Sequence, residues 1–105
     1  MRAAVERTDV ARGRPKTPAL LLRLYIAGNA PNSLRAIANA RRICDEHFAA
    51  GHRLEIVDLL RFPSRALDDG IIVTPTLLKL LPLPALRMIG DLSDTNEVFL
   101  ALAPA

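Results

Sequence analysis

The sequence predicts an α/β domain, a four-stranded mixed sheet carrying helices. Three observations lead there. Short apolar runs of strand length alternate with one longer segment at helical spacing. The first strand, the long helix and the second strand follow one another as a crossover unit, which implies a right-handed parallel pair. Hydrophobic residues make up 50% of the 105 and charged residues 24%, the balance of one domain with one core. Aromatics are only 4%, so that core is aliphatic.

Residues 1–18 lack apolar periodicity and contain Gly13, Pro15 and Pro18, which reads as a flexible basic N-terminal arm ahead of a single domain over 19–105. Ala19 to Ala27 is a buried strand by its length and its Gly28-Asn29 flank. Asn32 or Ser33 is placed to cap the helix that follows. Leu34, Ile37, Ala40, Cys44 and Phe48 share one face of that helix, and Gly51 is the expected left-handed stop. Arg53 to Leu60 is the second strand, with Leu54 and Ile56 facing one way and Val57 and Leu59 the other. Pro63 to Asp69 is a short helix closed by Gly70. Ile71 to Leu81 is strand-like, but Pro75 demotes it to an edge or irregular strand. Pro82 and Pro84 define a turn, after which Leu86 to Ile89 returns antiparallel and ends at Gly90. Ser93 or Asp94 caps a last helix, with Asp94 and Glu97 spaced as a capping box and Val98, Leu102 and Phe99 facing inward.

The order strand, helix, strand, helix, strand, strand, helix is that of thioredoxin-like domains. Local sequence narrows it. Leu24-Tyr25-Ile26-Ala27-Gly28-Asn29-Ala30-Pro31-Asn32-Ser33, Thr74-Pro75-Thr76-Leu77 with the Pro82/Pro84 turn, and Met88-Ile89-Gly90-Asp91-Leu92-Ser93 resemble, in order and spacing, signatures of the KaiB family of circadian clock proteins. The resemblance runs from about Leu20 to Leu102. It implies a chain with two arrangements: a monomeric thioredoxin-like one that binds a clock partner, and one in which the second half runs strand, helix, helix, strand inside a homotetramer. The fold-switch positions carried over are Pro75, Gly90, Ala101 and Ala103, with Pro75 cis in the thioredoxin-like form. Clock members have Gly and Asp where this chain has Ala101 and Ala103. The exchange favours the helical form by about 1.5 kcal/mol, a gain that Pro104 limits by ending the helix early. The expected bias is therefore toward the thioredoxin-like state.

The resemblance further implies docking on the N-terminal ring of a KaiC-like hexameric ATPase, with Arg35, Lys79 and Arg87 pairing with its carboxylates. Lys79 stands out because it interrupts the apolar run Leu77-Leu78 and Leu80-Leu81. Two departures bear on partners. Leu86 stands where a second basic residue is common, and Glu55 replaces a usual Lys on the strand that recruits a KaiA-type partner, which makes that partner doubtful. The acidic tail of clock members is also missing, which suggests a relative of the clock protein rather than a full part of a three-component clock.

A thioredoxin-like fold raises redox catalysis, which needs a thiolate at the start of the first helix and a second cysteine one turn on. Asn29 and Asn32 stand there, and Cys44, the only cysteine, lies farther along on the core face. No enzymatic site is expected, so thiol-disulfide exchange is the weaker rival and a non-clock stress or signalling adaptor the stronger one. Cys44, His47 and His52 lack a fourth ligand, and no phosphate loop, nucleophile elbow or carboxylate pair is recognisable; no cofactor or metal is expected.

The net charge of +3 misleads, because residues 1–18 hold five basic and two acidic residues while the remainder holds nine of each. A neutral body with few aromatics suits no nucleic acid. No run reaches membrane-spanning length, Arg23 breaks the one signal-like stretch, and a cytoplasmic protein is expected.

Overall fold

A computed structural model describes residues 19–103; the basic arm expected over residues 1–18 lies outside the described residues. The elements are β1 (Leu20–Ile26), α1 (Pro31–His47), β2 (His52–Asp58), α2 (Ser64–Asp69), β3 (Thr76–Leu81), β4 (Leu86–Ile89) and α3 (Thr95–Leu102). This is the thioredoxin-like order expected from the sequence. The four strands lie in the order β2-β1-β3-β4, with β2 parallel to β1 and the other pairs antiparallel.

The pleat of β1 sets the two layers. Leu20, Leu22, Leu24 and Ile26 face α1 and α3 and form the main core with Ile43, Cys44, Leu77, Val98 and Leu102. Tyr25 faces the other way, with Val57, Ile71 and the inner side of α2. On α1 the buried residues are Ser33, Ala36, Ala40, Ile43 and Cys44. Of the expected face, Ala40 and Cys44 are buried and Ile37 and Phe48 pack against the core, whereas Leu34 is 50% exposed. Nor do Asn32 or Ser33 cap the helix. It begins at Pro31 after Ala30, with no side-chain cap, and Ser33 Oγ instead accepts from the Ala27 N–H at 3.0 Å to close the β1–α1 loop. Pro31 supplies a preset φ where its missing N–H costs nothing.

Gly51 does not stop α1. The helix ends at His47, and Gly51 lies in the following turn, where its carbonyl accepts from Leu20 N at 3.0 Å. The left-handed stop falls on Gly70, whose φ of 68° caps α2. Pro75 does not push its strand to the edge either. The Thr74–Pro75 bond is cis, β3 begins one residue later, and β3 is interior between β1 and β4. Pro75 sits at the strand boundary, where its lack of an N–H removes no ladder bond and its carbonyl accepts from Gly90 N at 3.0 Å. The Leu81–Pro82 and Leu83–Pro84 bonds are also cis, and the turn they make returns the chain as β4.

At the end of the chain the expectation holds in its main point. Asp94 Oδ1 accepts from Glu97 N at 3.1 Å and starts α3, with Val98 and Leu102 buried. Ala101 lies in the helix, but Ala103 is its extended C-cap (φ −66°, ψ 146°). Helix propensity therefore acts at Ala101 and not at Ala103, which reduces the expected bias to about 1 kcal/mol.

Candidate partner-binding site

Arg87 lies on the edge strand β4, and Arg35 lies on α1, paired to the loop that follows that strand. Arg35, in the first turns of α1, pairs through Nε with Asp91 Oδ2 at 3.1 Å and also donates to Asn32. Asn39 Nδ2 donates to the Asp91 carbonyl at 2.8 Å, so two α1 side chains tie the β4–α3 loop to the first half of the chain. The Ser93 hydroxyl first, then Arg35 and the Ser93 N–H, hold the Asp91 carboxyl below its ordinary range. Arg35 remains 56% exposed at its side chain and can still reach a second carboxylate.

Arg87 lies on the opposite face of the sheet, where Nη1 donates to the Gly70 carbonyl at 2.7 Å and Nη2 to the Asp69 carbonyl at 3.5 Å. It thus staples the end of α2 to β4 while staying exposed. Lys79 is different. It pairs with Leu22 on β1 and Leu86 on β4, shares the α1/α3 face with Leu77, and is only 4% exposed. Lys79, expected as a partner contact because it interrupts an apolar run, has its side chain enclosed beside α3. Sequence reasoning also missed Asp91, the residue that holds Arg35.

The turn between β4 and α3 carries two unusual backbones. Gly90 has φ 119°, and Leu92 has φ 64° with a side chain only 6% exposed. A left-handed leucine costs roughly 1–2 kcal/mol, which burial of its side chain, worth about 1.5–3 kcal/mol, offsets.

On the α2 face, the Tyr25 hydroxyl donates to Asp69 Oδ2, which Arg65 Nε also approaches at 3.4 Å. Arg23 Nε pairs with Glu55 Oε1 at 2.5 Å. Glu55, the departure on β2, is thereby engaged within the chain. The Tyr25 hydroxyl first, then Arg65 and Arg23, hold the Asp69 carboxyl below the usual carboxylate range. Burial, then the bond to Asp69, pushes the Tyr25 phenol up. The sign follows from linkage: the Asp69 contribution is present above pH about 4 and is lost as pH falls through its lowered folded value. The Tyr25 contribution is complete below pH about 10 and is lost as pH rises through its raised folded value. Tyr25→Phe should therefore cost about 1–2 kcal/mol near neutral pH. In urea unfolding against pH, the gap between wild type and variant should close below pH about 4.

The place where a dithiol would stand holds Asn29 and Asn32, both exposed. Cys44 is 1% exposed, and burial, then the neighbouring Asp45 charge, pushes its thiol up to about 11. Cys44 should react with a thiol reagent at neutral pH only after denaturation, and the folded chain should not turn over in insulin reduction. His52 Nδ1 donates to the Phe48 carbonyl at 2.8 Å, and the His47 ring lies 4.3 Å from that of Phe99. Among the described residues no three His, Cys, Asp or Glu side chains group as metal ligands, and no helix is long and apolar enough to cross a membrane.

The KaiB domain family profile matches residues 23–104. The chain belongs to the KaiB family. Circadian clock protein KaiB3 of Synechocystis is 51% identical over 83 residues, covering 79% of this chain and 81% of that protein. Circadian clock oscillator protein KaiB of Synechococcus elongatus is 46% identical over 82 residues, 78% of this chain and 80% of that protein. Among solved structures, the N-terminal domain of Synechococcus elongatus SasA matches with a TM-score of 0.66 at 22% identity, over 94% of this chain and 98% of that one. Chloroplastic thioredoxin z matches at 0.62 and 16% identity over 80% of each chain. These last two establish the fold of this KaiB-family chain as thioredoxin-like.

Proposed function

We propose that this KaiB-family chain is a non-enzymatic regulator that, in the thioredoxin-like arrangement, binds the N-terminal ring of a KaiC-like hexameric ATPase and modulates its phosphorylation cycle. The observation that carries this reading is the helical α3, capped by Asp94 and seated through Val98 and Leu102, in a chain that resembles clock KaiB proteins over most of its length. That arrangement leaves Arg35 and Arg87 exposed, where both can meet carboxylates. Lys79 contributes to such a contact only through the seat of α3, since its own side chain is enclosed. An ammonium enclosed in this way makes Lys79→Glu a fold-disrupting change, not a clean test of binding.

The chain acts as a monomer in this state, with the homotetramer as the alternative arrangement. At Ala101 alone, the propensity gain of about 1 kcal/mol shifts the two-state ratio roughly fivefold toward the helical form. A KaiA-type partner is disfavoured because Glu55 places negative charge on β2, the other edge strand.

The test is anisotropy titration of the labelled chain with a purified KaiC-type hexamer and with its isolated N-terminal ring. Wild type should bind both, and Arg87→Glu and Arg35→Glu should each weaken binding by roughly tenfold or more; because both side chains also make contacts within the chain, helical shifts retained over 95–102 separate loss of the partner contact from loss of the fold. Absence of binding by the wild type, together with co-purification of other proteins lacking any ATPase hexamer, would favour the stress or signalling adaptor instead.

A further inference from the structure

The enclosed ammonium of Lys79 has a second implication, independent of any protein partner. Between α3 and the β3–β4 turn runs a groove of about 330 Å³, lined by Lys79, Pro82, Leu83, Leu86, Leu100 and Ala101 among others. Its walls are aliphatic apart from Lys79, which is 4% exposed. No side-chain hydrogen bond or ion pair to Lys79 occurs among the described residues. A buried ammonium with no counter-charge among the described residues is costly, and the cost falls when an anion meets it. The C-terminal turn of α3 brings only partial negative charge to the same side.

We propose that this groove is a binding site for a small amphipathic monoanion, an aliphatic carboxylate of about eight carbons, with its headgroup on Lys79 and its tail along Leu83, Leu86 and Leu100. The volume decides the size. It lies at the small end of ligand pockets, and at about 30 Å³ per water-sized group it accommodates on the order of ten such groups. The head is decided by charge, since Lys79 is the one ionisable side chain lining the groove among the described residues. Because Leu100, Ala101 and Ala103 of the α3 segment form one wall, a seated ligand holds that helix against the sheet and raises the stability of the docked form.

The experiment titrates the full-length, isotopically labelled protein with sodium octanoate well below its micelle concentration, beside 1-octanol as the uncharged probe. Lys79→Met keeps the aliphatic bulk and removes the charge, while Lys79→Arg keeps the charge. The expected result is saturable amide shifts centred on Lys79, Leu86, Leu100 and Ala101, with a rising unfolding temperature. Lys79→Met should bind octanoate at least tenfold more weakly, Lys79→Arg should retain binding, and 1-octanol should bind like the Met variant. Shifts centred elsewhere, no saturation, or equal affinity of octanoate for wild type and the Met variant would each overturn the proposal.

Discussion

Leu102→Ala is expected to destabilise the chain by about 3 kcal/mol, within the usual 2–5 kcal/mol for truncating a buried leucine. Leu102 is 1% exposed and, with Val98, is what α3 buries against the sheet. A helix of eight residues has little stability of its own in water, so its existence depends on that packing. Losing 3 kcal/mol from a domain whose total is about 5–15 kcal/mol is a large fraction. The loss should concentrate at the end of the chain: helical chemical shifts over 95–102 should weaken while those of α1 persist. Leu100→Ala is the control, because Leu100 is 74% exposed and its removal should change stability by under about 0.5 kcal/mol. Urea unfolding of both variants checks the ratio. By the proposed function, Leu102→Ala should also weaken ATPase binding.

Gly90→Ala is expected to cost about 2 kcal/mol, the middle of the range for a residue held in a sparsely populated backbone region. At φ 119° an L side chain is strained, although an added Cβ would meet nothing within 4 Å. The cost is thus conformational, not a clash. It falls on the turn that passes from β4 to α3, beside the Gly90 to Pro75 backbone bond. With each kcal/mol worth roughly 4–8 °C in a domain near this size, the unfolding temperature should drop by roughly 8–16 °C. Gly51→Ala, whose Cβ would lie in ordinary contact at 3.6 Å from Ala19 Cβ and whose φ is not positive, should have a far smaller effect. Comparable losses at both positions would show that the backbone at Gly90 carries no strain.

What the sequence made legible was what depends on neighbouring residues. Asp94 and Glu97 announced the start of α3, Gly70 the end of α2, and the Pro82/Pro84 turn the return of β4. The parallel β1–β2 pair followed from a crossover through a helix. What failed depended on depth of contact. Leu34 is apolar and falls at helical spacing from the core residues, yet Ser33 and Ala36 are buried in its place and Leu34 faces outward. Pro75 signals an edge or irregular strand because proline cannot donate; the strand is interior but begins only after Pro75, and its register with β1 shifts at Leu21/Leu22. At Lys79 the unusual residue was noticed correctly and its setting was not, since a charge inside an apolar run reads as exposed until α3 is seen to cover it.

The candidate site divides in the same way. Arg35 and Arg87 were legible as charges through the family pattern, whereas Asp91, 56 residues beyond Arg35, was legible through nothing local. The Tyr25 to Asp69 contact likewise joins residues 44 apart. Both contacts tie the first half of the chain to the second half, the part in which the two proposed arrangements differ.

The central claim is that residues 94–103 form a capped helix packed on a four-stranded mixed sheet, in a protein whose role is to bind another protein. Backbone secondary chemical shifts over these residues, measured in solution on the intact chain, test it most directly. Helical shifts from Thr95 to Leu102, with extended shifts over 76–81 and 86–89, are the predicted result; extended shifts over 95–102 in a particle of four-subunit size would contradict it.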